Sequence, residues 1–185
     1  MLQETETIEG ERVFLVQFQE DELEQWRDWA LASNPDTLSS RPLINLHDLE
    51  ELKVRFRRRR QLYDRGDLAV RLKSTGALIG RISYFNVNHR NFSAEIGYMT
   101  APQMRRQGYT REAVTLMLEH LFYERNLRRI IASTGAFNEG SIGLLRSLGF
   151  SQEGRLREYH VVDGIFYDEL MFALFRRDWE RLHSS

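Results

Sequence analysis

Residues 95–112 read Glu-Ile-Gly-Tyr-Met-Thr-Ala-Pro-Gln-Met-Arg-Arg-Gln-Gly-Tyr-Thr-Arg-Glu. Residues 96–99 favour a β-strand, and Pro102 ends that strand because proline lacks a backbone N–H donor. A helical pattern of apolar residues begins by Glu112 and continues beyond it. The stretch therefore predicts a strand, a sharp loop and the first turn of a helix, in that order.

The loop in this stretch has the features of an anion site. Gly108 allows unusual backbone dihedrals and the close approach of a bound group. The helix N-terminus that follows offers unpaired N–H groups and partial positive charge, and Arg105, Arg106 and Arg111 add charge around it. These features predict binding of a phosphate or pyrophosphate. A plain loop-to-helix junction with solvated arginines is the alternative, and a short glycine motif alone does not separate the two.

Further strands are predicted on both sides of this stretch. Two strands joined by a turn at residues 74–76 precede it, so three consecutive strands predict an antiparallel meander. A strand also follows the helix, and the order strand, helix, strand requires a crossover that makes this pair parallel. The predicted strands cover residues 11–18, 68–73, 77–85, 92–99, 128–134, 150–161 and 165–175, and the predicted helices cover residues 20–32 and 176–183 and segments beginning at Asp48, Glu112 and Asn138.

The pattern predicts one mixed α/β (α+β) domain over residues 1–185, with residues 1–9 expected to be frayed. Its sheet is expected to be mostly antiparallel, with about seven strands, one splayed parallel pair and about four flanking helices. Where two parallel strands splay apart, their unpaired backbone groups can bind an extended ligand much as they would bind another strand.

Composition excludes several kinds of site. The 185 residues carry a formal net charge of −1 with a pI near 6.5, which argues against a general nucleic-acid binder. No cysteine is present to serve as a nucleophile or metal ligand, and the spacing of the five histidines predicts no metal site. The run Arg57–Arg60 predicts a solvated helix face in preference to a nucleic-acid patch. We expect no secretory signal, no membrane span and a cytoplasmic location, and either a monomer or a homodimer.

Several short motifs follow one another in a recognisable order. They are Glu95-Ile-Gly-Tyr, Arg105-Arg-Gln-Gly-Tyr-Thr-Arg-Glu-Ala, Asn138-Glu-Gly-Ser, Leu148-Gly-Phe, Glu153-Gly-Arg-Leu-Arg, Asp163-Gly and Asp168-Glu. From Arg12 to Trp179 the chain resembles the RimJ/RimL branch of the GNAT N-acetyltransferase superfamily, a branch that is similar to ribosomal-protein-alanine acetyltransferases. Arg105 and Gly108 match the superfamily's pyrophosphate loop, whereas Thr110 departs from the glycine or alanine usual at its last position.

The resemblance implies a GNAT-type fold, acetyl-CoA as co-substrate, no metal, and a primary amine as acceptor. It implies that one strand holds the pantetheine arm and that the N–H groups of the loop hold the pyrophosphate. It also implies that Asn138 bonds the pantetheine and that Ser141 lies near the CoA sulfur. The implied cofactor-binding residues are Ile96, Gly97, Tyr98, Met99, Arg105, Arg106, Gln107, Gly108, Tyr109, Thr110, Asn138 and Ser141.

Acetyl transfer from a thioester to an amine needs a neutral amine, a polarised carbonyl and a protonated leaving thiolate. Glu95 is the candidate base, directly or through a water, and its alternative role is a strand-edge ion pair with an arginine. Ser141 is the candidate proton donor to the thiolate, with a backbone hydrogen bond as its alternative. Asn138 suits a helix N-cap as well as a ligand contact. Tyr159 and His160 could border the acceptor pocket, although cross-strand packing is favoured.

Two hypotheses of different class remain open. In the first, the chain is an acetyl-CoA-dependent N-acetyltransferase that acts on a protein N-terminal α-amine or on a small-molecule amine. In the second, it is a non-catalytic CoA-binding or regulatory module with the same fold. Residues 33–47 show no periodic pattern and are expected to form a loop beside the acceptor.

Overall fold

An eight-stranded sheet forms the centre of the computed structural model, which describes residues 7–33, 46–62 and 64–184. The strands are β1 (Ile8–Glu9), β2 (Val13–Gln17), β3 (Gly66–Leu72), β4 (Leu78–Asn88), β5 (Ser93–Thr100), β6 (Arg129–Gly135), β7 (Ser151–Val162) and β8 (Ile165–Phe175). They lie in the order β1-β2-β3-β4-β5-β6-β8-β7. Neighbouring strands are antiparallel except β5 and β6, which are parallel as predicted.

Five α-helices in the described part of the chain pack on this sheet: α1 (Leu23–Ala32), α2 (Leu49–Arg60), α3 (Tyr109–Glu119), α4 (Glu139–Ser147) and α5 (Arg176–His183). A π-helical turn over His120–Glu124 extends α3. The predicted mixed fold is confirmed, with one strand more than expected and a helix at each of the five predicted places. The loop expected at residues 33–47 falls mostly on residues 34–45, which lie outside the described residues.

Part of the N-terminal segment forms a short strand. Of residues 1–9, for which fraying is predicted, residues 1–6 lie outside the described residues, whereas Ile8 pairs with Leu15 and Glu9 pairs with Phe14 to form β1. Ile8 also packs against the main core, and Glu9 forms an ion pair with Lys73 at 2.7 Å. A strand of two residues is too short to show an alternating pattern, so the sequence could not predict it.

The two faces of the sheet are covered by different helices. On one face, called here the back face, Ile82 of β4 belongs to a core with Met117 of α3 and Trp179 of α5. On the opposite face, called the front face, a second core contains Trp29 of α1 and Phe56 of α2. Because side chains alternate between faces along a strand, every residue of β5 can be assigned to one face.

The helix after Gly108 buries the apolar stripe that its spacing predicts. A stripe with intervals of three and four residues places one face of a helix against a core. Its buried members are Ala113, Val114, Met117, Leu118, Leu121 and Phe122. The start of α2 is also as predicted, because Asp48 Oδ1 accepts a hydrogen bond from Glu51 N at 2.9 Å.

Two phenylalanines of β8 provide a matched test of the core. Phe172 is 1% exposed in the main core, whereas Phe166 is 64% exposed. We expect Phe172→Ala to lower the free energy of unfolding by about 3–5 kcal/mol, because it removes buried contacts and leaves a cavity. We expect Phe166→Ala to change it by less than about 0.5 kcal/mol. Urea titration followed by circular dichroism measures both, and equal losses would contradict the burial assigned to β8.

Candidate active site

The parallel ladder between β5 and β6 ends early. Only residues 93–95 of β5 pair with residues 129–131 of β6. Beyond this point β5 remains paired with β4 as far as Thr100, and β6 remains paired with β8 as far as Gly135. From Ile96 onward, the edge of β5 that faces β6 therefore has no ladder partner among the described strands. An extended ligand can form hydrogen bonds along such an edge.

The loop at the end of β5 presents backbone N–H groups at a helix N-terminus. A 3₁₀ turn over Pro102–Met104 is followed by Arg106 with a φ of 60° and Gly108 with a φ of 85°. The first helical bond joins Glu112 N to Gly108 O at 3.1 Å. Within the described residues, the N–H groups of residues 106–111 make no hydrogen bond. Left-handed residues in a turn that leads into a helix form a concave anion site, so the geometry supports the predicted one.

Arg12 and Glu112 connect this loop to the start of β2. Glu112 Oε1 accepts hydrogen bonds from Arg12 N at 2.7 Å and from Val13 N at 3.1 Å. The Arg12 guanidinium donates to Glu112 Oε2 at 3.1 Å and to Gln107 O at 3.1 Å. Burial alone would raise the pKa of Glu112, but the backbone donors and the arginine outweigh it and lower that pKa. The carboxylate therefore stays ionised and ties β2 to the first turn of α3.

Two of the three arginines predicted around the anion site bind protein groups. Arg105 donates to Thr100 O at 3.2 Å and to Ser33 Oγ at 2.8 Å, while Arg111 donates to Ser147 Oγ at 2.7 Å. These contacts connect the loop to β5, α1 and α4. Arg105 thus positions the loop, and its predicted contact with the pyrophosphate stays a prediction.

Thr110, the residue that departs from the family pattern, has a clear contact. Its hydroxyl lies 2.7 Å from the hydroxyl of Thr100 at the end of β5. This hydrogen bond joins the last residue of the strand to the first turn of α3. A glycine or alanine at this position could not form it, so the departure stabilises the loop from within.

The side chains of Ser141 and Tyr98 meet beside the space where β5 and β6 separate, which is called here the gap. Asn138 caps α4, with its Oδ1 accepting from Ser141 N at 3.1 Å, and the Ser141 hydroxyl lies 2.8 Å from Tyr98 OH. Burial raises the pKa of Tyr98 to about 12, although the Ser141 bond opposes the shift. Tyr98 therefore stays a neutral phenol at physiological pH. The capping role of Asn138 is confirmed, and its ligand contact stays a prediction.

Glu95 and Ser141 lie on opposite sides of the gap. Alternation along β5 places Glu95 and Gly97 on the front face, whereas Tyr98, with Ser141, belongs to the back face. Glu95 Oε1 accepts a hydrogen bond from Asn86 Nδ2 at 2.9 Å. Among the described residues its partner is thus an amide and not the arginine considered as an alternative. A base and a proton donor on opposite sides suit attack from one side and thiolate departure on the other.

The hairpin of β7 and β8 contributes a buried pair of side chains that the sequence did not predict. His160 Nε2 lies 3.1 Å from Glu169 Oε2, and Glu169 is 1% exposed. The ring of Phe137, next to the cap of α4, packs edge-on against His160 at a centroid distance of 5.5 Å. Cross-strand packing, the favoured reading for His160, is thus observed. Tyr159 packs on His160 at 5.1 Å and remains partly exposed.

The described part of the chain contains no group of three or more histidine, aspartate or glutamate side chains placed to hold a metal ion. None of the helices within it has both the length and the apolar character required to cross a bilayer.

Comparison with known proteins places this geometry in a family. The model of the acetyltransferase (GNAT) domain family matches residues 12–151. The [ribosomal protein uS5]-alanine N-acetyltransferase of Escherichia coli (strain K12) is 31% identical over 103 residues, which cover 55% of this chain and 53% of that relative. The chain thus spans about half the length of this curated relative.

Solved structures share the fold. A spermidine N-acetyltransferase from Vibrio cholerae, in complex with CoA and spermine, superposes with a TM-score of 0.81 at 19% identity and covers 91% of this chain and 98% of that chain. RimJ from Mycobacterium smegmatis, in complex with CoA-disulfide, gives a TM-score of 0.77 at 24% identity and covers 93% and 88% respectively. At these identities the likeness shows the fold alone.

Substitution of Gly108 tests the loop as a binding site. Gly108 has a φ of 85°, and a Cβ there would lie 2.9 Å from Arg12 Nη2. Backbone strain of this kind costs about 1–3 kcal/mol, so we expect Gly108→Ala to weaken CoA binding by about 5- to 100-fold. Titration calorimetry with CoA measures the loss.

Gly76 supplies the matched control for this substitution. It has a φ of 71°, and a Cβ there would have no atom within 4 Å. Gly76→Ala therefore strains the turn between β3 and β4, outside the anion loop, and should reduce stability without changing CoA affinity. Full CoA affinity in Gly108→Ala, or an equal loss in both variants, would show that the loop does not bind the phosphates.

Tyr98 gives a pH-dependent test of the contact with Ser141. Because its folded-state pKa of about 12 exceeds the unfolded value, folding stabilises the protonated phenol. This contribution is present below pH ~10 and is lost as the pH rises from there towards the folded pKa. We expect spectrophotometric titration of the folded protein to show one late-ionising tyrosine that is missing in Tyr98→Phe. An unchanged titration curve in the variant would contradict the burial of this phenol.

Proposed function

Because the chain belongs to the acetyltransferase (GNAT) domain family, we propose that it moves an acetyl group from acetyl-CoA to a primary amine by direct attack in a ternary complex. The observation that carries this function is the open edge of β5 leading to the N–H groups at the start of α3. A thioester on a long arm with a diphosphate at its end needs this combination of strand edge and anion site. The family assignment favours an enzyme over the non-catalytic module.

The residues present fit acetyl-CoA. The N–H groups of residues 106–110 would bind the diphosphate, and the backbone of residues 96–99 would bind the pantetheine arm. Asn138 uses its side-chain oxygen for capping, and its amide N–H₂ remains a donor for the same arm. The co-substrate supplies an activated acyl group. The chain supplies binding, orientation and proton transfer.

Positioning accounts for much of the expected rate enhancement. Holding two reactants together can lower the barrier by about 7–11 kcal/mol. A backbone N–H of residues 96–99 that donates to the developing oxyanion can contribute about 3 kcal/mol more. Glu95 on the front face would accept the amine proton, directly or through a water. Ser141, hydrogen-bonded to Tyr98, would donate to the departing thiolate.

Amines that are easily neutralised make the smallest demand on a catalytic base. An α-amine with a pKa near ~7.8 is about a tenth neutral at pH 7, whereas a lysine side chain near ~10.4 is almost entirely charged. A single carboxylate such as Glu95 is a sufficient base for the first. Among the relatives, one is named for the alanine of a ribosomal protein and another was solved with spermine. The acceptor of this chain is therefore a protein N-terminus or a small amine.

Three broader expectations stay predictions. They are a cytoplasmic location, a monomeric or homodimeric state, and the lack of a nucleic-acid partner.

An acceptor panel tests the proposed function. We expect free thiol to be released from acetyl-CoA in the presence of peptides or small amines. Replacing a general acid or base typically costs about 10²-fold or more, so Glu95→Gln and Ser141→Ala should both lower kcat by at least that factor. Glu119→Gln, an exposed substitution at the far end of α3, should leave kcat unchanged. CoA binding without thiol release from any acceptor would favour the non-catalytic module instead.

A further inference from the structure

Two arginines contact one buried carboxylate on the front face of the sheet, and the charge of a third acts on the same group. Asp67 of β3 is 5% exposed and accepts a hydrogen bond from Arg81 Nη2 at 2.7 Å. The second oxygen of Asp67 lies 3.7 Å from Arg65 Nε. Arg59, on the last turn of α2, lies close enough for the charges of Arg65 and Asp67 to act on it. These four residues are called the arginine cluster.

Among the residues that the structure describes, the arginine cluster has more positive charge than its partners neutralise. It contains three guanidinium groups and one carboxylate, an excess of two charges. Arg65 Nε is buried and has no hydrogen-bond partner in the part of the chain that the structure describes. Within the described residues, the Arg59 side chain makes no ion pair or hydrogen bond. The charge of Arg81 also acts on the Glu22 carboxylate, but Glu22 already forms an ion pair with Arg71.

The electrostatics of Arg59 agree with this excess. Burial and then the charge of Arg65 lower the pKa of Arg59, although Asp67 opposes them. A half-buried cation beside two others destabilises the protein unless an anion joins them. Such unbalanced charge is more typical of a ligand site than of a structural ion pair.

Packing accounts for Arg81 more fully than for the other two arginines of the arginine cluster. The Arg81 guanidinium lies over the rings of Phe18 at 4.6 Å and Trp26 at 5.2 Å, so it belongs to the core beneath α1 and α2. Its role is to hold Asp67 in place. Arg65 also lies over the ring of Phe85. That packing leaves its Nε without a hydrogen bond and the Arg59 side chain without a partner among the described residues.

Strand register places the arginine cluster beside the candidate active site. Asp67 pairs with Ser83, and Ser83 pairs with Gly97 on the front face of β5. Two strand spacings separate Asp67 from Gly97, which is about 10 Å. Arg65 lies over the ring of Phe85 at 6.0 Å, and Phe85 is the register partner of Glu95. The cluster therefore flanks the side from which an amine would approach.

We propose that Arg59 and Arg65 bind an anionic group of the acceptor, so that the preferred acceptor is an amine that also carries a carboxylate or phosphate within about 10 Å of its nitrogen. This inference rests on the proposed function. An acidic side chain near a peptide N-terminus and the acid group of a small amino acid share this chemistry. A polyamine lacks it, and the excess positive charge disfavours its binding.

Two matched pairs of acceptors test the proposal on the CoA-bound protein. One pair is 6-aminohexanoate and 6-aminohexanamide, and the other is the C-terminally amidated peptides Ala-Ala-Glu and Ala-Ala-Gln. Charge-assisted hydrogen bonds contribute about 1.5–3 kcal/mol, which predicts at least about tenfold tighter binding of the acid member by calorimetry. A preference confined to one pair identifies the source of the anion, a peptide or a small molecule.

Variants of α2 separate ligand binding from structure. Arg59→Gln should remove most of the preference for the acid and leave the melting temperature unchanged or raised, because it relieves repulsion. Arg58→Gln changes the exposed neighbouring arginine and should alter neither the preference for the acid nor the melting temperature. Arg65→Gln should also remove the preference. A loss of stability in Arg59→Gln with the preference intact would show a purely structural role.

The outcomes also separate the two proposals. Equal affinity for the acid and amide members of both pairs would overturn the anionic acceptor, even if thiol release occurs with both. Tighter binding of the acids without any thiol release would support the anion site and count against the proposed acetyl transfer.

Discussion

The early end of the ladder between β5 and β6 is the constraint on which the site depends. Three residue pairs hold the two parallel strands together, and each strand then follows its other neighbour. The separation leaves a backbone edge on β5 that an extended ligand can occupy. It also divides the surroundings in two, with Glu95 on the front face and Ser141 on the back face. A continuous ladder would close this edge and the passage between the two faces.

Contacts with neighbouring elements stabilise the loop after β5 more than contacts within the loop do. Arg12 and Glu112 join β2 to the first turn of α3, and the hydroxyls of Thr100 and Thr110 join the strand to the same turn. Arg105 adds contacts to α1 and β5. These bonds fix the backbone before any ligand arrives. Because less ordering is then required on binding, a preorganised site of this kind binds a diphosphate more tightly than a mobile loop would.

Local signals made most of the fold predictable. Asp48 and Asn138 both cap the helices that their positions predicted, and the spacing around Met117 identified the buried side of α3. The order strand, helix, strand predicted the one parallel pair. Features without a local signal were missed. Two residues of β1 show no period, and the π-helical turn after α3 has no sequence marker.

The candidate site was predictable in outline and not in its long-range contacts. Motif order indicated the loop and the residues on β5 and α4, but Glu112 bonds Arg12 across 100 positions of sequence. Tyr98 and Ser141 are 43 positions apart. The arginine cluster joins α2, β3 and β4. The run of arginines in α2 predicts a solvated helix face, and Arg57, Arg58 and Arg60 are exposed as predicted. The partial burial of Arg59 depends on strands that follow it in the chain, so the local sequence could not predict it.

Amide chemical shifts of the isotope-labelled protein, recorded while CoA is added, test the central claim most directly. The account predicts that the backbone N–H resonances of residues 106–110 and 96–99 shift together and saturate at one CoA per chain. Shifts confined to other surfaces, with both of these segments unchanged, would contradict the assignment of the gap and its loop as the acetyl-CoA site.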